Sequence, residues 1–239
     1  MFSNTDSYPS GSAGDSNFWT QQHGPVLSVP VFSSGILDSV MNTYWFHELS
    51  SYIWLEKQAR ADFSDSSKEW REGTAKTSFT YLLLDPRLTH NLPTITNKGY
   101  NKCDTWGIFV RSIFYVGKGK RSRPYSHLQQ ARTLWNNNIK TSNDKKVQHI
   151  LDIWSDRKGV VCLHIFQNVI PAEAYTYEAA MIDALGLTRL QNIKPGNYYG
   201  TVASWPKKYR HMLGRYLLYK AMLIFLSEGE RQLRPDDLD

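Results

Sequence analysis

The chain has 239 residues, enough for one sizeable domain, and with 41% apolar and 13% aromatic residues most of it must bury a core. Against 22 Asp and Glu stand 28 Lys and Arg, a net charge of +6 with a pI near 9.2, which makes an anionic partner such as nucleic acid the first to consider. Its longest apolar stretch, Met212 to Leu226, carries Arg215 and Lys220 and falls short of the ~20 residues of a membrane helix. Only two cysteines are present, Cys103 and Cys162, and no charged segment followed by an apolar run opens the chain. That points to a reducing, intracellular compartment, nucleus or cytoplasm.

In chain order, residues 1–24 are rich in Ser, Gly, Asn and Asp and read as a disordered arm. Residues 25–77 read as a helical extension that packs on the core. From Ser34 to Phe63, apolar residues such as Ile36, Leu37, Val40, Tyr44, Leu49 and Tyr52 recur at helical spacing. His47 and Glu48 lack a second histidine four residues on and carry no metal signal. Phe79 to Leu84 predicts a buried strand stopped by Asp85-Pro86, and 86–107 reads as a long insert loop. Ile108 to Val116 predicts a second strand, which leaves the sheet through Gly117-Lys118-Gly119.

Helices follow over Ser126–Trp135 and Asp144–Asp156, then a third strand over Val160–Phe166. Pro171 opens a helix that Gly186 stops. Residues 201–239 hold a last amphipathic helix, Lys207 to Glu228, and an acidic tail expected to fray. The fold class is α+β, a small three-stranded antiparallel sheet flanked by helices, with its core over 78–200.

Lys118, Lys120, Arg121 and Arg123 crowd the turn after the second strand, where bare backbone and cations together suit phosphate oxygens. Glu178 lies one turn from the apolar face of a helix that otherwise looks buried. Such a carboxylate either pairs with a basic side chain or binds a cation, and one carboxylate with several waters suits Mg²⁺. With Tyr81 and Tyr115 on strands, these are the parts of a phosphodiester hydrolase: a metal site, cations for the phosphate, and hydroxyls to orient water.

In this order Tyr81, the block Tyr115-Val116-Gly117, Arg123 with His127 four residues on, Glu178, and Asn192 resemble the GIY-YIG nuclease superfamily over residues 79–200. Tyr-Leu-Leu-Leu-Asp-Pro-Arg (81–87) and Glu-Ala-Ala-Met-Ile-Asp-Ala-Leu-Gly (178–186) resemble its ankyrin-repeat and LEM-domain endonuclease branch. Of the first signature tripeptide only the tyrosine is kept, and the insert at 86–107 lengthens the spacing to the second.

The resemblance implies a structure-selective endonuclease for branched DNA, such as junctions, flaps and chromatin bridges. Glu178 is then the ligand of Mg²⁺, for which Mn²⁺ can substitute. Tyr81 and Tyr115 orient or activate water, and Lys118, Arg123 and His127 engage the phosphate. Arg121 rivals Arg123, and His127 either serves the phosphate or packs its helix. Gly117, Lys120, Arg121, Asn192, Lys207, Lys208 and Arg210 are the expected DNA contacts, with Asn192 also able to brace the Glu178 helix. A binding module without catalysis is the alternative, and a third reading has the apolar face of the last helix docking a protein partner.

Overall fold

The apolar run around Leu82 forms the strand on which two layers of helix assemble. A computed structural model describes residues 40–96, 99 and 101–238. The arm expected at 1–24 and the first part of the helical extension lie outside the described residues. Strand β1 (Ser78–Leu84) pairs antiparallel with β2 (Ile113–Gly119) on one side and β3 (Val160–Val169) on the other. Its side chains alternate between two cores: Leu82 and Leu84 enter one, Tyr81 and Leu83 the other. Burial on both faces explains why this strand reads as an unbroken apolar run.

A fourth strand, β4 (Gln232–Leu233), pairs with the start of β3 and makes the order β2-β1-β3-β4. The sheet therefore has four strands where three were expected, because two residues carry no readable period. The tail is docked, not frayed, up to Leu238. Trp154 Nε1 donates to the Leu233 carbonyl at 3.0 Å, and Arg132 donates to the Leu238 carbonyl at 2.8 Å. Leu233 and Leu238 are buried in the second core, and this burial overrides the tail's acidic composition.

Helix α1 (Leu49–Phe63) follows a 3₁₀ turn at Tyr44–Glu48. The segment 86–107 is helical rather than a loop: α2 (Pro86–Thr89), α3 (Leu92–Thr96) and α4 (Lys102–Ser112) occupy most of it. Asp85 caps α2 by accepting from the Arg87 N–H at 2.9 Å. Asn101 caps α4 by accepting from the Asp104 N–H at 2.8 Å. Because α4 runs to Ser112, the second strand starts at Ile113 rather than Ile108. Phe109 and Val110 are buried from a helix, and a short apolar run does not tell that from a strand.

The remaining helices are α5 (Tyr125–Asn136), α6 (Lys145–Ser155), α7 (Pro171–Leu185) and α8 (Lys207–Glu228). Leu128 of α5 and Val147, Ile150 and Leu151 of α6 fill the core on the Tyr81 face. Residues of α1, α4, α7 and α8 share the other core, among them Phe63, Trp106, Met181 and Phe225. A side chain at Gly214 would run into the Ala180 carbonyl, so α7 and α8 cross with their backbones close. The apolar face of α8, including Leu213, Leu217 and Phe225, is spent in this core, which removes the reading of it as a partner-docking surface. Among the described residues no helix is long and apolar enough to cross a membrane, and Cys103 and Cys162 are free.

Candidate active site

Strand β2 is the edge of the sheet, and an open edge exposes unpaired backbone groups. The segment after α7 closes part of it. Gln191 N–H donates to the Phe114 carbonyl at 2.8 Å. Asn192 accepts from the Val116 N–H at 3.1 Å and donates to the Val116 carbonyl at 2.7 Å. Its amide thus stands in for a paired strand beside Tyr115 and Gly117, and what it braces is the β2 edge rather than the Glu178 helix.

Around this edge lies a cleft of about 350 Å³ to which both helical layers contribute: Lys146 from α6, Glu178 and Tyr175 from α7, with Tyr115, Lys118 and Asn192. Gly117 pairs across the sheet with Tyr81, and a Cβ on Gly117 would lie 2.6 Å from the Tyr81 hydroxyl. A bare backbone at 117 is therefore what lets the Tyr81 ring lie flat against β2. Tyr81 and Tyr115 point to the same face with ring centroids 6.0 Å apart, and His127 of α5 meets Tyr115 edge-on at 5.3 Å. Gly119 plays the same part for Arg123, whose Cβ would be 2.6 Å from an added side chain.

Electrostatics divide these groups into neutral and charged. Burial raises both tyrosines, and the hydrogen bond between them disfavours the Tyr81 phenolate while easing that of Tyr115. Both are phenols at neutral pH. Burial, aided by the nearby Lys146 ammonium, pulls His127 down to about 4, so its imidazole is uncharged. Burial raises Glu178, while Lys118, whose Nζ lies 3.8 Å from Glu178 Oε2, and Arg123 pull it back. The Lys118 ammonium also sits 3.7 Å over the Tyr175 ring.

Arg123 acts electrostatically on Tyr115, His127 and Glu178 together. Arg121, its rival, sits exposed in the turn with φ of 53°. Lys120 lies 3.2 Å from Glu72, which also accepts from the Tyr175 hydroxyl at 3.0 Å. Lys207 and Lys208 do not line this cleft; they border a separate one between α1 and α8. Arg210 stacks at 4.6 Å over the Tyr198 ring and donates to the Ala203 carbonyl.

Four residues at the site were not predicted. Lys146 is buried, 5.3 Å from the Tyr115 ring centroid and 3.1 Å from Asp144. Asp144 caps α6 through the Lys146 and Val147 N–H groups. Tyr175 and Glu72 hold Lys118 and Lys120 from the far side. Asp144 was legible as a cap; a lysine two residues on, in a helix start with Lys145 beside it, looks solvated from sequence.

The donor set fits one hard cation. Among the described residues no three His, Cys, Asp or Glu gather into a metal cage. Glu178 is the one carboxylate lining the cleft, half-buried and short of compensating charge, with room for water around it.

A family model described as a LEM-3-like GIY-YIG domain matches residues 78–239. The chain belongs to the LEM-3-like GIY-YIG family. Members of that family are nucleases, and the matched span contains β1, the Tyr115-Val116-Gly117 block, Arg123, His127, Glu178 and Asn192. Among curated proteins it is similar to Ankyrin repeat and LEM domain-containing protein 1 of Mus musculus, 51% identical over 174 residues, 73% of this chain and 32% of that protein. The Homo sapiens protein of the same name is 49% identical over 176 residues, 73% of this chain and 28% of that protein. The Caenorhabditis elegans homolog is 32% identical over 185 residues, 77% of this chain and 24% of that protein. The GIY-YIG chain thus spans about a quarter to a third of the length of these relatives. No solved structure matches it.

Proposed function

We propose that this chain is a metal-dependent endonuclease for branched DNA. The carrying observation is the cleft at the β2 edge, where Glu178, Lys118, Tyr115 and Asn192 converge beside Arg123 and His127. Glu178 would hold Mg²⁺, with Mn²⁺ able to replace it. When bound, such an ion supplies Lewis-acid polarisation of the phosphoryl oxygen and eases departure of the leaving oxygen.

The chain's own groups account for the rest. Lys118 and Arg123 offset charge on the phosphate as it becomes pentavalent. Tyr115, a phenol with Tyr81 packed beside it, orients the attacking water. Of the three neutral groups Tyr81, Tyr115 and His127, only the His127 imidazole can accept that water's proton, and the phosphate's negative charge raises its basicity when substrate binds. Water's oxygen then bonds to phosphorus, and the bond to one bridging oxygen breaks. Lys120, Arg121 and the main chain at Gly117 hold flanking backbone. Junctions, flaps and chromatin bridges are the DNA forms proposed, with the nucleus as the place of action.

Cleavage of labelled branched and linear duplex DNA, with Mg²⁺ or EDTA, tests this reading in the unmodified protein and in Glu178→Gln. Cutting that needs the metal and disappears in Glu178→Gln, while DNA binding survives, supports it. Salt-sensitive binding with no cutting under any divalent metal replaces it with a binding module.

A further inference from the structure

A second cleft is larger than the catalytic one. It has a volume of about 890 Å³ and lies between α1 and the start of α8. Its lining combines Trp54 and Tyr209 with Lys207, Lys208 and Arg215, and Glu48 is the one acid on it. Trp54 is 58% exposed and Tyr209 44%, so two aromatic rings stand in solvent at a basic cleft. Lone exposed rings need no explanation, but rings and cations sharing one concavity do.

The two lysines are placed against their own helix. They are the first residues of α8, at its positive end, with no acidic residue in the first turn and no side-chain cap. Among the described residues neither makes an ion pair, whereas Lys118, Lys120, Lys146 and Lys220 all do. Helix stability disfavours this arrangement; a bound polyanion would relieve it.

The cleft is tied to the catalytic one by an ordered stretch of chain. Asn197 lines the catalytic cleft, and Lys207 follows ten residues later, so the two clefts are separated by at most ~36 Å of chain. That stretch is pinned. Gly196 packs on the Ala179 backbone, Tyr198 donates to Asp183 at 2.6 Å, Tyr199 N–H donates to Thr176 at 2.9 Å, and Thr201 N–H donates to Asp62 at 2.7 Å.

We infer that this cleft binds an unpaired strand of the substrate, with bases stacked on Trp54 and Tyr209 and phosphates on Lys207 and Lys208. Exposed rings favour a single strand over a duplex, since only an unpaired base offers its face to a side chain. This rests on the nuclease reading and deepens it: the substrate then has a single-stranded portion near the cut.

The test uses the full chain and a fluorescent oligothymidine of about 15 nucleotides, within the span such grooves hold. Binding is compared with that of Trp54→Ala and Lys207→Glu/Lys208→Glu, each checked for folding by circular dichroism. The inference expects about a tenfold loss for Trp54→Ala, as the stacking of one base implies. It also expects the slope of log affinity on log salt to fall by about 1.4 when both lysines are replaced. Tryptophan quenching on binding should largely vanish in Trp54→Phe.

Unchanged oligothymidine affinity in both variants overturns the inference. So does an equal loss of duplex and single-strand binding, which makes the surface a duplex contact. Cleavage of branched and linear duplex DNA with Mg²⁺ is measured in parallel, and a protein that cuts neither counts as inactive. An inactive protein that still loses oligothymidine through Trp54→Ala overturns the nuclease reading and upholds the cleft. An active one that binds oligothymidine normally in both variants overturns the cleft alone.

Discussion

The Tyr81 ring occupies the space that a side chain on Gly117 would need, with the Tyr81 hydroxyl 2.6 Å from the position of that missing Cβ. The two residues are register partners on β1 and β2, so neither can move without bending the sheet. Gly117→Ala should therefore displace the tyrosine, destabilise the protein by about 2 kcal/mol through overpacking, and abolish cleavage. In a Tyr81→Ala background the same change should cost far less, a coupling that a double-mutant cycle of urea unfolding reads directly. Equal costs in both backgrounds would mean that the glycine matters for its backbone freedom rather than for the ring.

The end of β1 is anchored by a buried carboxylate. Asp85 accepts from Arg87 Nε at 2.9 Å and faces His149 Nε2 at 3.0 Å, and His149 stacks on Phe114 of β2 at 4.3 Å. Burial pushes Asp85 up, but the hydrogen bonds from His149 and Arg87 outweigh it and hold the group well below the usual carboxylate range. Asp85→Ala removes the cap of α2, takes the acid from His149 and leaves Arg87 with Asp156 alone. Its expected cost is about 3 kcal/mol in chemical denaturation. Cleavage per folded molecule should be little changed, because none of these side chains lines the catalytic cleft.

How much of this was legible follows from what kind of signal each feature leaves. The run Tyr81-Leu82-Leu83-Leu84 announced a buried strand, whose side chains alternate between two cores, and Pro171 and Gly186 marked the ends of α7 from sequence alone. The Tyr115-Val116-Gly117 block could be placed beside Tyr81 because their residue types carry a resemblance. The helix α4 was misread because Ile108 to Val110 suit either period, although Asn101 and Asp104 offered a cap three residues apart. Strand β4 was invisible at two residues. Lys146 and Tyr175 were missed since burial of a lysine and a face of a tyrosine depend on neighbours distant in sequence.

Lys146 is the missed residue with the clearest consequence. Its ammonium is nearly fully buried between Asp144 and the Tyr115 ring, and it helps to keep His127 uncharged. Lys146→Met should lower kcat by about tenfold with a smaller change in KM, since it alters the setting of Tyr115 and His127 rather than DNA contacts. The His127 titration followed by NMR should move up. Lys146→Arg should restore much of the rate if charge is what matters. A rate loss with His127 unmoved would assign Lys146 to packing only.

His127 also makes stability depend on pH in a direction that can be worked out. Its value falls from about 6.5 in the unfolded chain to about 4 in the folded one, chiefly through burial, with Lys146 next. Above pH 6.5 the imidazole is neutral in both states and the native state bears no penalty. As pH falls from 6.5 towards 4, the unfolded chain takes up a proton that the folded one refuses, so stability is lost over that window. The full difference corresponds to about 3 kcal/mol, an upper figure because the ring is partly solvated. Urea unfolding at intervals from about pH 7 to 4 should show this slope in the unmodified protein and a shallower one in His127→Phe. The difference between the two curves isolates the histidine from the carboxylates that titrate alongside it. Parallel curves would place the imidazole in water, free to protonate, and would remove it as the neutral proton acceptor of the site.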